Sequence, residues 1–288
     1  MILRFWFFVY QKLKKYFNKN KKIKMSYYKY KNQDIFYEDQ GTGQCLFFVH
    51  EWNSSSLPFR KLNVKYFEKN YRVICLDLPG YGNSEFIEGL QFDDFTKILL
   101  ELLDDLKIQK CTLMGFCLGT TIILDFNHKF PDRVIALILI EPILRFPNIL
   151  IPLLIPKFGV TFLNYLSRNR FLFSLVGSQL IGPDKRINNM VFKAIGNNDP
   201  QISLKYLELL YKKNKQCHFE TLDMDIQGKS ICILGKNTNY IFKKSAKSII
   251  NHFMIHDIYI LDNTSHFILI EQPVEVSNII HNFMSNIN

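Results

Sequence analysis

A chain of 288 residues that is 48% hydrophobic and 22% charged can bury the core of one large domain, or of one domain with a smaller insertion, and is too apolar for wholesale disorder. Its formal net charge of +10 is confined to one end: residues 1–31 hold ten Lys and Arg and no Asp or Glu, and the other 26 basic residues equal the 26 acidic ones. A body that is formally neutral lacks the basic stripe a nucleic-acid partner would need, so no nucleic acid is expected.

The N-terminal arm reads "MILRFWFFVY" and then "QKLKKYFNKNKKIK". Its apolar run of about nine residues is too short to span a bilayer as a helix. Most of the bases follow that run rather than precede it, and no small-residue cleavage site appears, unlike a secretory leader. Aromatics followed by lysines suit an interfacial anchor on a membrane surface, formed by residues 1–24. A disordered extension and an uncleaved targeting signal are the other readings. The six cysteines, Cys45, Cys75, Cys111, Cys117, Cys217 and Cys232, form no C-x-x-C pair, and four of them lie in apolar strand-like runs. Reduced, buried thiols in a cytoplasmic protein, peripheral on a membrane if the arm anchors, fit this better than a disulfide scaffold. No metal-ligand spacing is present, and "GYGNS" (80–84) lacks the lysine-bearing order of a phosphate loop, so no metal or cofactor is expected.

After the arm, "YYKYKNQDIFYEDQGTG" (27–43) predicts two short antiparallel strands. Apolar runs then recur at 44–50, 71–77, 110–116, 134–141, 229–235 and 257–262, most of them near-continuous, as buried parallel strands are. Helical patterns at 93–108 and 120–133 lie between them, and another at 273–287 starts with proline. Strand–helix alternation predicts an α/β protein with helices on both sheet faces. The alternation breaks between about 143 and 225: "RFPNILIPLLIPKFGVTFLNYL" (145–166) is strongly apolar, and 168–182 and 200–219 look helical. The expected organisation is an arm (1–26), a first core part (27–142), an inserted helical cap (143–225) and a second core part (226–288). The cap's apolar content suits an acyl-binding cleft or a membrane contact, and some of it must pack the cap on the body.

The stretch "MGFCLG" (114–119) joins a strand-like run to a helix-like run. A sharp strand-to-helix turn lifts its middle side chain above the sheet and tolerates little beside it, so Gly115 and Gly119 flank Cys117 where small residues are needed. The start of the helix offers a positive end and free N–H groups, which favour thiolate over thiol, and the Leu118 N–H could face a developing oxyanion. A nucleophile needs a base, and His266 in "LDNTSHFILIEQP" follows the last predicted strand.

These stretches resemble the α/β-hydrolase fold family, in its capped epoxide-hydrolase-like and haloalkane-dehalogenase-like branch. "HEW" (50–52), "DLPGYGNS" (77–84), "LLDDLKIQKCTLMGFCLGT" (102–120), "FPDRVIALILIEP" (130–142) and "SHFILIEQP" (265–273) occur in the family's order and at its spacing, across about residues 30–288. The resemblance implies a doubly wound, mostly parallel eight-stranded sheet with an inserted helical cap. It implies Cys117 as nucleophile, His266 as general base, and the backbone N–H groups of Trp52 and Leu118 as the oxyanion hole. Asp77, Pro79, Gly80 and Gly82 take a structural turn, and Glu271 matches a glutamate that is usually structural.

Three departures matter. The usual serine is Cys117, and a dehalogenase or epoxide-hydrolase mechanism would need a carboxylate there. After the penultimate strand the family's Gly–x–x–Asp reads "GKNT", with Thr238 at the acid position; Glu141, closing the strand "VIALILIE", is the expected triad acid, since some members of that branch carry it there, and a glutamate in such a place is costly unless paired. Its other readings are an edge glutamate in solvent or a partner of Arg145, and Asp262 is a weaker candidate acid. Finally "HG" has become "HE", so Glu51 threatens both the close backbone approach and the oxyanion. The expected function is hydrolysis of a carboxylic ester or thioester through Cys117, His266 and Glu141, on an apolar, acyl or lipid-like small molecule. The alternative is a non-catalytic protein of the same fold that binds a small molecule or a protein partner.

Overall fold

The structure is a computed structural model that describes residues 24–62, 64–143, 148–180, 184–216, 228–253 and 255–287. Of the expected anchor only Lys24 falls within them; Arg145 and Cys217 lie outside. Strands β1 (Lys24–Tyr30) and β2 (Gln33–Gln40) pair antiparallel through Lys31 and Asn32. Both turn residues have positive φ, 50° and 66°, the conformation whose twist suits a two-residue hairpin. Then follow β3 (Cys45–Val49), β4 (Arg72–Leu76), β5 (Cys111–Phe116), β6 (Val134–Ile140), β7 (Lys229–Gly235) and β8 (Asp257–Leu261).

The eight strands form one sheet in the order β1-β2-β4-β3-β5-β6-β7-β8, parallel from β4 to β8. The antiparallel entry is at β1 and β2. Every residue of β3 and β5 is buried, as strands covered on both faces must be, whereas β8 leaves Ile258 and Ile260 exposed at the edge. The helices of the body are α1 (Val64–Asn70), α2 (Phe92–Asp105), α3 (Leu118–Lys129), α8 (Tyr240–His252) and α9 (Pro273–Asn286). The sequence pattern does not anticipate α1 or α8. Between β6 and β7 lie α4 (Pro156–Arg168), α5 (Arg170–Leu180), α6 (Lys185–Asn197) and α7 (Pro200–Gln216).

Helix α7 ties this helical insertion to the body. Lys213, buried, places its ammonium 2.7 Å from Asp125 of α3, which also takes Lys129 at 2.8 Å; Lys129 in turn reaches Asp93 of α2 at 2.7 Å. Lys213 also sits over the Phe92 ring, 5.4 Å from its centroid. Removing one partner of a buried pair strands the other charge. Lys213→Met should therefore cost about 3 kcal/mol, with Lys129 keeping part of Asp125 satisfied. Thermal melts check it, and an unchanged midpoint would show that Lys213 is only a solvated surface charge.

Candidate active site

The site forms at the C-terminal ends of the parallel strands, where an open α/β sheet leaves room for ligands. Cys117 follows β5 and caps α3 with φ 49° and ψ −112°. Such a backbone is disfavoured by of order 1–3 kcal/mol for a residue with a Cβ and persists only when neighbours dictate it. The neighbours do so here: a Cβ on Gly119 would run into the Val49 carbonyl, and one on Gly115 would press on the backbone of Gly119 and Thr120. Glu141, which ends β6, and Asn53, in the loop after β3, also have positive φ (47° and 56°). Three of the positive-φ residues other than glycine thus follow β3, β5 and β6, at the C-terminal ends of adjacent strands.

Glu141 is fully buried, yet its carboxylate is provided for. The Gly235 N–H and the Thr238 hydroxyl (2.8 Å) donate to Oε1, and His266 Nδ1 lies 3.0 Å from Oε2. Thr238, expected to stand in place of an acid, is thus a donor to the Glu141 carboxylate. A carboxylate can only accept, so Nδ1 carries the proton and Nε2 is left with its lone pair. The His266 ring is packed by Phe242 of α8 at 4.0 Å between centroids, nearly coplanar, with Phe116 at 5.4 Å and Phe267 at 5.5 Å. Glu271 accepts from the Ser265 N–H (2.7 Å) and hydroxyl (2.9 Å) and so fixes the loop bearing His266. Asp262, by contrast, is exposed and paired with Lys236 at 2.7 Å.

Cys117 is buried, and among the described residues no hydrogen bond joins its Sγ to His266. The thiol is pushed far above its usual range, first by burial and then by Glu51, against the lowering effect of the Leu118 N–H. Burial and the two carboxyl groups near the sulfur thus oppose the thiolate that the helix start favours.

The oxyanion loop is set by His50 and the cap. Leu78 N–H donates to His50 Nε2 (2.9 Å), so Nδ1 donates to the Glu51 carbonyl (2.7 Å). Burial lowers the His50 pKa, in keeping with a neutral ring. Trp52 donates its indole N–H to the Ser203 carbonyl of α7 (2.9 Å), and Tyr206 of α7 donates to the Pro79 carbonyl (2.7 Å). Among the described residues no backbone carbonyl takes the N–H of Trp52 or of Leu118. The Glu51 side chain is buried, its Oε2 has no hydrogen-bond partner among the described residues, and burial raises its pKa to about 7, with the Ser54 hydroxyl opposing. Among the described residues no three His, Cys, Asp or Glu gather where they could hold a metal ion.

The arrangement can supply a thiol at the tip of a strained turn, an imidazole with a free Nε2, an acid to charge-balance that imidazole, and two N–H groups for an oxyanion. The model of the alpha/beta hydrolase fold family matches residues 44–271. The chain spans 37% and 41% of the length of the first curated relatives it matches. A longer likeness is to the 2-hydroxy-6-oxononadienedioate/2-hydroxy-6-oxononatrienedioate hydrolase of Escherichia coli K12, 24% identical over 228 residues, which cover 76% of this chain and 78% of that one. Among solved structures, one from work on carboxylesterases of the thaumarchaeon Nitrososphaera gargenis superposes with a TM-score of 0.71 at 19% identity, over 91% of this chain and 98% of that one. The epoxide hydrolase CorEH superposes with a TM-score of 0.74 at 16% identity, over 93% of this chain and all of that one (100%). Identities this low speak for the fold alone.

Proposed function

We propose that this chain, which belongs to the alpha/beta hydrolase fold family, is a hydrolase of carboxylic esters or thioesters that works through an acyl-cysteine. The single observation that carries the reading is the 3.0 Å contact of His266 Nδ1 with a buried Glu141 carboxylate whose other oxygen is already occupied. In the proposed cycle His266 Nε2 takes the Cys117 proton as the sulfur attacks the carbonyl carbon. The S–C bond forms, and the carbonyl oxygen becomes an oxyanion between the N–H groups of Trp52 and Leu118. As the oxyanion collapses, the C–O or C–S bond to the leaving group breaks and His266 returns the proton to it. Water then gives a proton to His266 while its oxygen attacks the thioester carbon; the S–C bond breaks, His266 returns the proton to the sulfur, and the acid and the free thiol are released. Glu141 orients the imidazole and balances its transient charge.

Because the thiol is neutral at rest, His266 must act during the attack rather than beforehand. An apolar acyl or lipid-like substrate is part of the proposal, supported by the apolar make-up of the insertion over 145–166. A capped, epoxide-hydrolase-like ancestry is also part of it, but opening an epoxide by that branch's route needs a carboxylate where Cys117 stands. A peripheral membrane location through residues 1–24 is supported by the aromatic and lysine pattern of the arm; among the described residues no helix is long and apolar enough to cross a membrane. Deleting that arm from the expressed chain and following membrane fractionation tests the location.

Glu51 supplies the test of pH behaviour and favours a second reading, a ligand-binding protein without turnover. Below about pH 7 its carboxyl is neutral; above, it becomes a charge that opposes both thiolate and oxyanion. Hydrolysis should therefore fall as pH rises through about 7, and Glu51→Gln should remove that fall, raising the rate at alkaline pH by about tenfold. The folded protein keeps a proton that the unfolded chain releases between pH 4.5 and about 7, so stability also declines across that window and should decline less in Glu51→Gln. Identical pH–rate profiles for the two proteins would show that Glu51 does not face the reacting atoms.

A further inference from the structure

We infer that the outward face of the cap, formed by Ile151, Ile155, Phe158, Tyr165, Phe171 and Leu175, docks on an anionic phospholipid surface. These six side chains are between 40% and 81% exposed, and they are half of all the large exposed apolar side chains among the described residues, gathered within 25 positions. Such a concentration is not the scatter of single apolar residues that any surface carries.

Phe158 and Tyr165 lie seven residues apart on α4, with Phe158 stacked on the half-buried Phe162 at 5.9 Å, and Ile151 and Ile155 lie on the segment that leads into the helix. Helix α4 has an opposite face that is also apolar: Leu163 and Leu166 are buried, and a Cβ on Gly159 would strike the Leu153 carbonyl and approach Leu204 of α7. The outward side of α4 thus sets Phe158 and Tyr165 among Lys157, Thr161 and Arg168, apolar rings between bases, the mixture that suits the boundary between headgroups and acyl chains. Helix α5 repeats the arrangement. Phe173 turns inward against Phe192 of α6 at 5.2 Å, while Phe171 and Leu175, one turn apart, point out.

The charge on this surface names the partner. From residue 142 to 183 the chain has no Asp or Glu, while Lys157, Arg168 and Arg170 are exposed beside the apolar face. Exposed apolar side chains interspersed with bases, on a stretch without acids, match lipid tails edged by phosphate and carboxylate headgroups. A nucleic acid would have no use for six exposed apolar side chains. The inference stands apart from the catalytic reading, since no residue of the proposed triad takes part in it.

The experiment is co-sedimentation of the full chain with vesicles of phosphatidylcholine alone and of phosphatidylcholine with phosphatidylserine. The intact protein should pellet with the mixed vesicles and less with the neutral ones, and added salt should weaken it. Phe171→Asp, at the most exposed position, should lower partitioning about tenfold or more without moving the melting temperature. Phe158→Asp should do the same from the other helix. Partitioning of both variants equal to the intact chain would overturn the inference and leave any membrane binding to the N-terminal arm. No binding of the intact chain to either vesicle would overturn it as well. So would a concentration-dependent dimer that Phe171→Asp dissolves while vesicle binding persists, because the face would then belong to a second copy.

Discussion

Cys117→Ala should lower turnover of short acyl esters by about 10⁴-fold or more while leaving the fold intact. The size follows from the role: without the sulfur no covalent intermediate forms, and only the oxyanion groups and binding remain. The fold should survive because alanine fills the same strained position with less bulk, and the cysteine makes no side-chain hydrogen bond that caps α3. Cys117→Ser tests the resting state of the sulfur. If the thiol is neutral and His266 removes its proton in the attack, a hydroxyl in the same place should retain a measurable part of the rate, because the same base serves both. A preformed thiolate would make that change almost as damaging as alanine. A second readout needs no variant. Iodoacetamide, which requires thiolate, should modify Cys117 slowly at pH 7, while an activated acyl ester should acylate it fast. Turnover unchanged in Cys117→Ala would remove the covalent mechanism and leave the binding-only reading.

Much of the fold can be read from apolar runs because the parallel strands are buried on both faces. β5, β6 and β7 appear in the sequence as near-continuous apolar segments within a residue or so of their observed ends. Helix α8 is harder to read: it fully buries only Ser245, Ala246 and Ile249, and its apolar positions alternate with lysines and serines in a short stretch between two strands. Its start was still signposted, since the Asn239 side chain caps it by accepting from the Ile241 N–H at 2.9 Å. At the site, Glu141 is conspicuous as an acid ending an apolar strand. The donors that make it tolerable are not, because Gly235 and Thr238 come from a strand almost a hundred residues later and meet Glu141 only through the β6–β7 pairing. Glu51 is visible as a charge where glycine is usual, but its protonation depends on burial that no linear pattern reveals.

Glu141→Gln should lower kcat by about 10²- to 10⁴-fold with little change in KM, although it removes only a charge. The Gly235 N–H and the Thr238 hydroxyl are both donors, so they hold an oxygen of residue 141 at the Oε1 position. A glutamine would satisfy them with its carbonyl and turn its amide N–H toward His266 Nδ1. The imidazole would then have to accept at Nδ1 and carry its proton on Nε2, the nitrogen that must receive the thiol proton. The ring stays in place, packed by Phe242 and Phe116, but in the tautomer that cannot act as a base. The same geometry predicts a rescue. Thr238 reaches Glu141 Oε1 at 2.8 Å, so an acid there would stand in for the carboxylate lost from Glu141. Adding Thr238→Asp to Glu141→Gln should recover at least about tenfold of the lost rate, whereas Thr238→Asp alone should lower stability by setting two buried carboxylates side by side. If the double variant is no better than Glu141→Gln, the acid does not work through His266, and Glu141 is a buried structural anchor between β6 and β7.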